Sequence, residues 1–150
     1  MPPPKPRSAL ALDIGRKRIG LAGCDPLGIT VTPLPALARS SLDRDVALLL
    51  PLLRDRGTQI LVIGLPLDQA RQPTSQAQHC HRYGVRLQAA LHRAGRSLPI
   101  VWVDEHASTW AAAEAGGLHG DRTGRLDSAA AALLLEQWLR DGPEPPSPPS

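Results

Sequence analysis

The chain has no phenylalanine, one tyrosine and three tryptophans among its 150 residues. Without exposed aromatics, the platforms on which single-stranded nucleic acid stacks are excluded, and the core falls to leucine, valine, isoleucine and alanine. The two cysteines, Cys24 and Cys80, form no C-x-x-C pair, so neither a disulfide framework nor a cysteine-based redox motif is expected. No apolar run reaches the ~20 residues that a membrane-spanning helix requires. No signal peptide is visible either, and the expectation is a cytoplasmic protein with reduced thiols and no membrane partner. There is no Walker pattern, so the glycine-rich stretch 116–125 reads as a flap carrying Arg122 and Arg125 rather than as a nucleotide cradle. No convincing serine or cysteine triad is present.

What the chain does have is arginine. The net charge of +3 is modest, but its basic side is nearly all guanidinium, whose planar donor fork suits phosphate. That favours an anionic partner such as nucleic acid, although a G- and C-rich genome inflates arginine, alanine and proline equally well.

A chain of this length reads as one domain. Residues 1–7 and 142–150 are proline-rich, with little to bury, and are expected to be disordered tails around a folded region of 8–141. Strands are expected at about 8–14 and 18–24, joined at Gly15. Asp25-Pro26-Leu27-Gly28 reads as a type I turn. A third strand follows over 29–37, whose Pro33 and Pro35 confine it to a sheet edge. A helix opens with the capping-box-like Ser40-Ser41-Leu42-Asp43 and stops at Gly57, with Pro51 expected to kink it. Gln59 to Gly64 is an apolar strand of the type buried on both faces. A helix opened by Ser75 and Gln78 shows Ala77, Cys80, Gly84, Leu87, Leu91 and Ala94 at helical spacing and ends at Gly95. A strand over 98–103, a short helix over 108–115 and a last helix over 127–140 complete a mixed α/β sheet of five strands.

Three acids stand at telling places. Asp13 ends the first strand beside Gly15 and three cations, Glu105 ends Ile100-Val-Trp-Val-Asp104-Glu105, and Asp127 starts the last helix. Magnesium or manganese takes oxygen ligands, and three carboxylates from separate elements suit two such ions on a phosphodiester. Asp127 shares helical spacing with Ala130, Ala131, Leu134 and Trp138, an apolar stripe that turns its carboxylate inward. Each acid also has a plain structural role: a turn aspartate at 13, a helix cap at 127, an exposed strand end at 105. The strand period puts Asp104 on the face opposite Glu105, and Glu105 is the preferred ligand. Arg16, Lys17 and Arg18 sit where they could hold a nucleic acid backbone, or form a solvated hairpin tip. His79, Arg82, Arg86 and Arg93 make a stripe that is either a duplex track or the wet face of an amphipathic helix. His79 and His81 diverge and cannot share a metal. His106 could contact a phosphate or relay a proton.

Together these segments resemble the YqgF/RuvX family, relatives of the RuvC Holliday junction resolvase within the RNase H-like fold. The matching pieces are Leu12-Asp13-Ile-Gly15-Arg-Lys17-Arg18-Ile-Gly20, Asp25-Pro-Leu-Gly28, Val62-Ile-Gly64-Leu-Pro66-Leu, Asp104-Glu105-His-Ala-Ser108-Thr109 and Leu126-Asp127-Ser-Ala-Ala. The resemblance implies a sheet of order 3-2-1-4-5 flanked by helices. It also implies a nuclease maturing the 5′ end of pre-16S rRNA, with Asp13, Glu105 and Asp127 as its metal-binding and catalytic acids, using Mg2+ or Mn2+. This chain departs from the family at His106, where arginine is usual, at Ala107, where leucine is usual, and after Pro66, where Asp68-Gln-Ala-Arg71-Gln-Pro replaces an asparagine- and glycine-rich stretch.

The leading expectation is a metal-dependent nuclease on structured RNA. The alternative is resolution of branched DNA, whose paired cuts need a homodimer where RNA processing needs only a monomer. An actin-like nucleotide-binding half-domain also begins with Asp-x-Gly on a hairpin, but such folds use two domains. A non-enzymatic RNA-binding protein would survive loss of the carboxylates.

Overall fold

The computed structural model describes residues 8–68, 70, 72, 74–105 and 125–146, with Arg125 as backbone only. The tails 1–7 and 147–150, His106, Trp110, the expected 108–115 helix and the glycine-rich flap lie outside the described residues.

The strands are β1 (Ala9–Ile14), β2 (Arg18–Cys24), β3 (Val31–Ala38), β4 (Ile60–Pro66) and β5 (Ile100–Glu105), and the helices are α1 (Leu42–Arg56), α2 (Ser75–Arg93) and α3 (Arg125–Asp141). They form one sheet of order β3-β2-β1-β4-β5. The first three strands pair antiparallel through short turns. β4 and β5 pair parallel to β1 and to each other, which requires long crossovers, supplied in part by α1 and α2. Prolines 33 and 35 sit on β3, which pairs only with β2, so their missing N–H groups need no partner beyond the edge.

Strand alternation sends side chains to two cores. Leu10, Leu12, Leu61, Ile63 and Ile100 face α1 and α2, meeting Leu49, Leu53, Leu87 and Leu91. Ala9, Ala11, Val62, Val101 and Val103 face the other way and pack against Ala131, Leu134, Leu135 and Trp138 of α3. Alanines on β1 and β2 let α3 lie close to the sheet, so its apolar stripe is buried as its spacing requires.

Several boundaries differ from the sequence expectation. The cap of α2 is Thr74, whose hydroxyl accepts from the Ala77 N–H at 3.0 Å, so Ser75 is already helical. Ala94 follows the helix as its C-terminal cap and is exposed, outside the apolar stripe. β5 starts at Ile100 rather than at Leu98, because Pro99 cannot donate to a ladder, and it runs on to Glu105. α1 continues through Pro51 as one helix, capped by the Ser41 hydroxyl and stopped by Gly57 in the left-handed region. Beyond Asp141 the chain folds back: Trp138 Nε1 donates to the Pro143 carbonyl at 2.7 Å.

Candidate active site

Asp13, Gly64 and Glu105 lie on the face of the sheet that carries α3, because they continue the alternation of Ala9 and Ala11, Val62, and Val101 and Val103. All three stand near the carboxyl ends of parallel strands, where α/β sheets gather their ligands. Asp104 points the other way and is exposed, while Glu105 is 6% exposed.

Glycine at position 64 opens the floor between the two acids. A Cβ there would stand 3.2 Å from Glu105 Oε2, so the Glu105 carboxyl leans back over β4, the strand between its own and that of Asp13. Burial pushes the Glu105 carboxyl up to about 7. Asp13 is raised well above its usual range, by burial first and then by the negative charges of Glu105 and Asp127. Glu105 Oε1 is buried with no hydrogen-bond partner among the described residues. A buried carboxylate oxygen left without a donor is costly, and a cation is the natural remedy.

Asp127 reaches the site from above. It lies in the first turn of α3, which begins at Arg125, so it is past the capping position that its place in the sequence suggests. The helix start rests on Gly20 so closely that a Cβ there would come within 2.1 Å of the Asp127 carbonyl oxygen. Gly20 is the register partner of Asp13, and this contact brings Asp127 beside β1. Ser128 fastens the turn, its hydroxyl donating to the Leu34 carbonyl at 2.6 Å and accepting from the Leu21 N–H at 3.3 Å. The Asp127 carboxylate accepts from Arg18 Nε at 3.2 Å. The Arg16-Lys17-Arg18 turn is therefore not simply a solvated tip.

The three acids thus come from three elements to one end of the sheet, with Asp127 engaged by Arg18. Among the described residues, no group of three or more His, Cys, Asp or Glu side chains is close enough to share one metal ion. The donor chemistry nonetheless suits a hard divalent cation: oxygen ligands only, two of them with carboxyls pushed up by burial. Cys24 and Cys80 are buried and not joined in a disulfide, and burial with the charges of Asp13 and Glu105 pushes the Cys80 thiol up to about 12.

The two histidines of α2 diverge as expected. His79 meets Arg39, and His81 stacks on Trp102 with ring centroids 4.5 Å apart. Trp138 is core, as its helical position implied. Three residues that shape the site escaped notice in the sequence: Gly20, Ser128 and Arg39. The first two are visible only once α3 is known to cross β2. Arg39 follows an edge strand whose register pairs Ala38 with Arg18, and that pairing alone would have placed it beside the Asp13 hairpin.

The comparisons with known proteins agree with this architecture. The family model described as "RuvX: Holliday junction resolvase" matches residues 7–141. The "Putative pre-16S rRNA nuclease" of Parasynechococcus marenigrum (strain WH8102) is 65% identical over 141 residues, covering 94% of this chain and 87% of its own. The protein of the same name from Synechococcus sp. (strain CC9902) is 66% identical over 140 residues, covering 93% and 82%. Among solved structures, T. thermophilus RuvC in complex with Holliday junction substrate superposes with a TM-score of 0.51 at 16% identity, over 91% of this chain and 96% of that one. That likeness establishes a RuvC-like fold.

Proposed function

The chain belongs to the RuvX family, and on that premise we propose that it is a metal-dependent nuclease that hydrolyses phosphodiester bonds at the 5′ end of pre-16S rRNA during ribosome biogenesis. The observation that carries this reading is the pair of acids, half-buried Asp13 and buried Glu105, facing one side of the sheet, with Glu105 Oε1 lacking a donor among the described residues. Asp13, Glu105 and Asp127 are the residues that would hold Mg2+ or Mn2+. Two such ions, when bound, would activate a water and stabilise the leaving oxygen.

The rest falls to the chain itself. Burial pushes the Asp13 and Glu105 carboxyls up, so a cation binding there competes with protons. Arg18 helps keep Asp127 oriented through a charge-assisted bond from its Nε. The Leu134 side chain, 3.0 Å from where a Gly64 Cβ would stand, walls the inner side and excludes water from Glu105. The single domain spans residues 8–141, its site is cytoplasmic, and a monomer suffices for RNA processing.

The second reading is resolution of branched DNA, favoured by the family description and by the RuvC-like fold. It requires two sites related by a two-fold axis. Cleavage of a labelled 16S precursor and a four-way DNA junction, with manganese, magnesium or chelator, separates the two. Metal-dependent loss of the RNA 5′ extension that vanishes in Asp13→Asn is expected. Symmetric junction cuts with intact RNA would replace the first reading by the second. Binding of both substrates with cleavage of neither would leave a non-enzymatic binding protein.

A further inference from the structure

On the opposite face of the β1–β2 turn from the acids lies a hollow of about 380 Å³, lined by Arg16, Arg39, Ser75, Gln76, His79 and Arg82. Three of its six lining residues are arginines and none is acidic. Arg16 and Arg82 are exposed, and among the described residues neither has a carboxylate partner.

Arg39 is held in place, and among the described residues it forms no salt bridge. Its Nη1 donates to the Gly15 carbonyl at 2.6 Å and stands 2.9 Å from His79 Nε2, while the guanidinium lies over the Tyr83 ring, 4.3 Å from the centroid. The Asp45 carboxylate is engaged at the hydroxyl end of that ring, accepting from the Tyr83 hydroxyl at 2.8 Å and from the Ser40 N–H at 3.1 Å.

The remaining groups are donors too. Ser75 and Gln76 open α2, and first-turn amides have no acceptor within their own helix. The Gln76 side-chain amide donates to the Ile14 carbonyl at 3.1 Å, tying α2 to the end of β1 one residue past Asp13. A concave set of guanidiniums around a helix start, with no acid among the lining residues, is the arrangement that takes a phosphate.

We propose that this hollow grips a backbone phosphate of the nucleic acid substrate, on the strand segment that runs from the carboxylates over the β1–β2 turn to α2. This rests on the nuclease reading for the identity of the substrate, not for the presence of the anion site. Arg39 is the fixed anchor, Arg16 and Arg82 close over the phosphate from the turn and the helix, and His79 positions the Arg39 fork by accepting its proton. The carboxylates and the hollow lie on two faces of one sheet edge, so a substrate engaging both must bend or branch across the turn. Such a grip selects structured over straight nucleic acid.

The test measures affinity alone, in chelator, so it needs no cleavage. Fluorescence anisotropy of a labelled 5′ segment of the 16S precursor is followed from 50 to 200 mM salt for the full chain, Arg16→Gln/Arg82→Gln and Arg39→Lys. Both residues of the double variant are exposed, so its fold should persist, with an unchanged melting temperature as the control. Roughly tenfold weaker binding is expected for the double variant at 0.1 M salt, with the slope of log affinity against log salt reduced by about one. Arg39→Lys keeps the charge but loses the fork and the stacking, and should weaken binding as well. Unchanged affinity and slope in both variants would overturn the proposal. So would tight binding of a nucleoside monophosphate or inorganic phosphate that the double variant abolishes while RNA affinity is untouched, since the hollow would then serve a free anion. A wild type that still leaves this RNA uncut once Mn2+ is restored, with both variants weakened in chelator, would refute the nuclease reading and leave the phosphate grip standing.

Discussion

A carboxyl set among two others, away from water, raises the free energy of the folded state before any substrate arrives. Asp13 is in that position, and its replacement by asparagine removes the cost of keeping a titratable carboxyl there without changing the shape. In the absence of divalent ions Asp13→Asn should therefore melt higher than the wild type at pH 8, by about 2–4 °C for each kcal/mol recovered in a chain of this size, while cleavage is lost. A lower melting temperature would mean that Asp13 is a structural turn residue after all. Glu105 adds a pH dependence. Its folded value of about 7 lies above its ordinary 4.5, so between these limits the folded state keeps a proton that the unfolded state has released. Stability then falls as pH rises through that window. Melting curves in chelator should show the descent from pH 5 to pH 8 in the wild type and a flatter profile in Glu105→Gln. A wild type that gains stability over this range would refute the raised value. These residues were legible in the sequence because acids at strand ends and at a helix start are conspicuous in an otherwise aliphatic chain. Arg39 was not, because its place comes from bonds to the Gly15 carbonyl and His79 and from stacking on Tyr83, a relation between the end of β3, the β1–β2 turn and α2 that spacing does not encode.

At the scale of elements, the site is a consequence of how closely α3 lies on the sheet. Gly20 and Gly64 provide that closeness in different ways. A methyl at Gly20 meets the Asp127 backbone at 2.1 Å, and backbone cannot step aside. Gly20→Ala should lift the start of α3, cost roughly 1–3 kcal/mol or more and abolish activity. A methyl at Gly64 meets a leucine end at 3.0 Å and Glu105 Oε2 at 3.2 Å. Both can give, so Gly64→Ala should fold with a small loss of stability but shift Glu105 and depress cleavage more than stability. Urea titrations alongside rates decide this, and equal losses of rate and stability in both variants would contradict it. The strands themselves were readable from their apolar runs and from the prolines of β3. Their order came from family resemblance rather than periodicity, which carries no information about which strands are neighbours. Helix starts were misplaced by one or two residues at α2 and α3, where threonine and serine compete as caps and where the preceding loop gives no clear stop.

For the whole molecule, the proposed roles fall on two faces of one scaffold: carboxylates under α3 for chemistry, and guanidiniums beside α2 for holding the substrate. A modest net charge of +3 conceals this separation, since acids and bases cancel in the sum while standing on opposite sides of one turn. The central claim is that Asp13 and Glu105, whose carboxyls burial pushes up, serve as ligands of a divalent cation. Calorimetric titration of Mn2+ at pH 6, repeated in two buffers of different ionisation enthalpy, measures ion binding and proton release together. Binding by the wild type with release of about one proton or more, and its loss in Asp13→Asn, is expected. Absence of binding, or binding that Asp13→Asn leaves intact, would contradict the assignment of these acids as the metal centre.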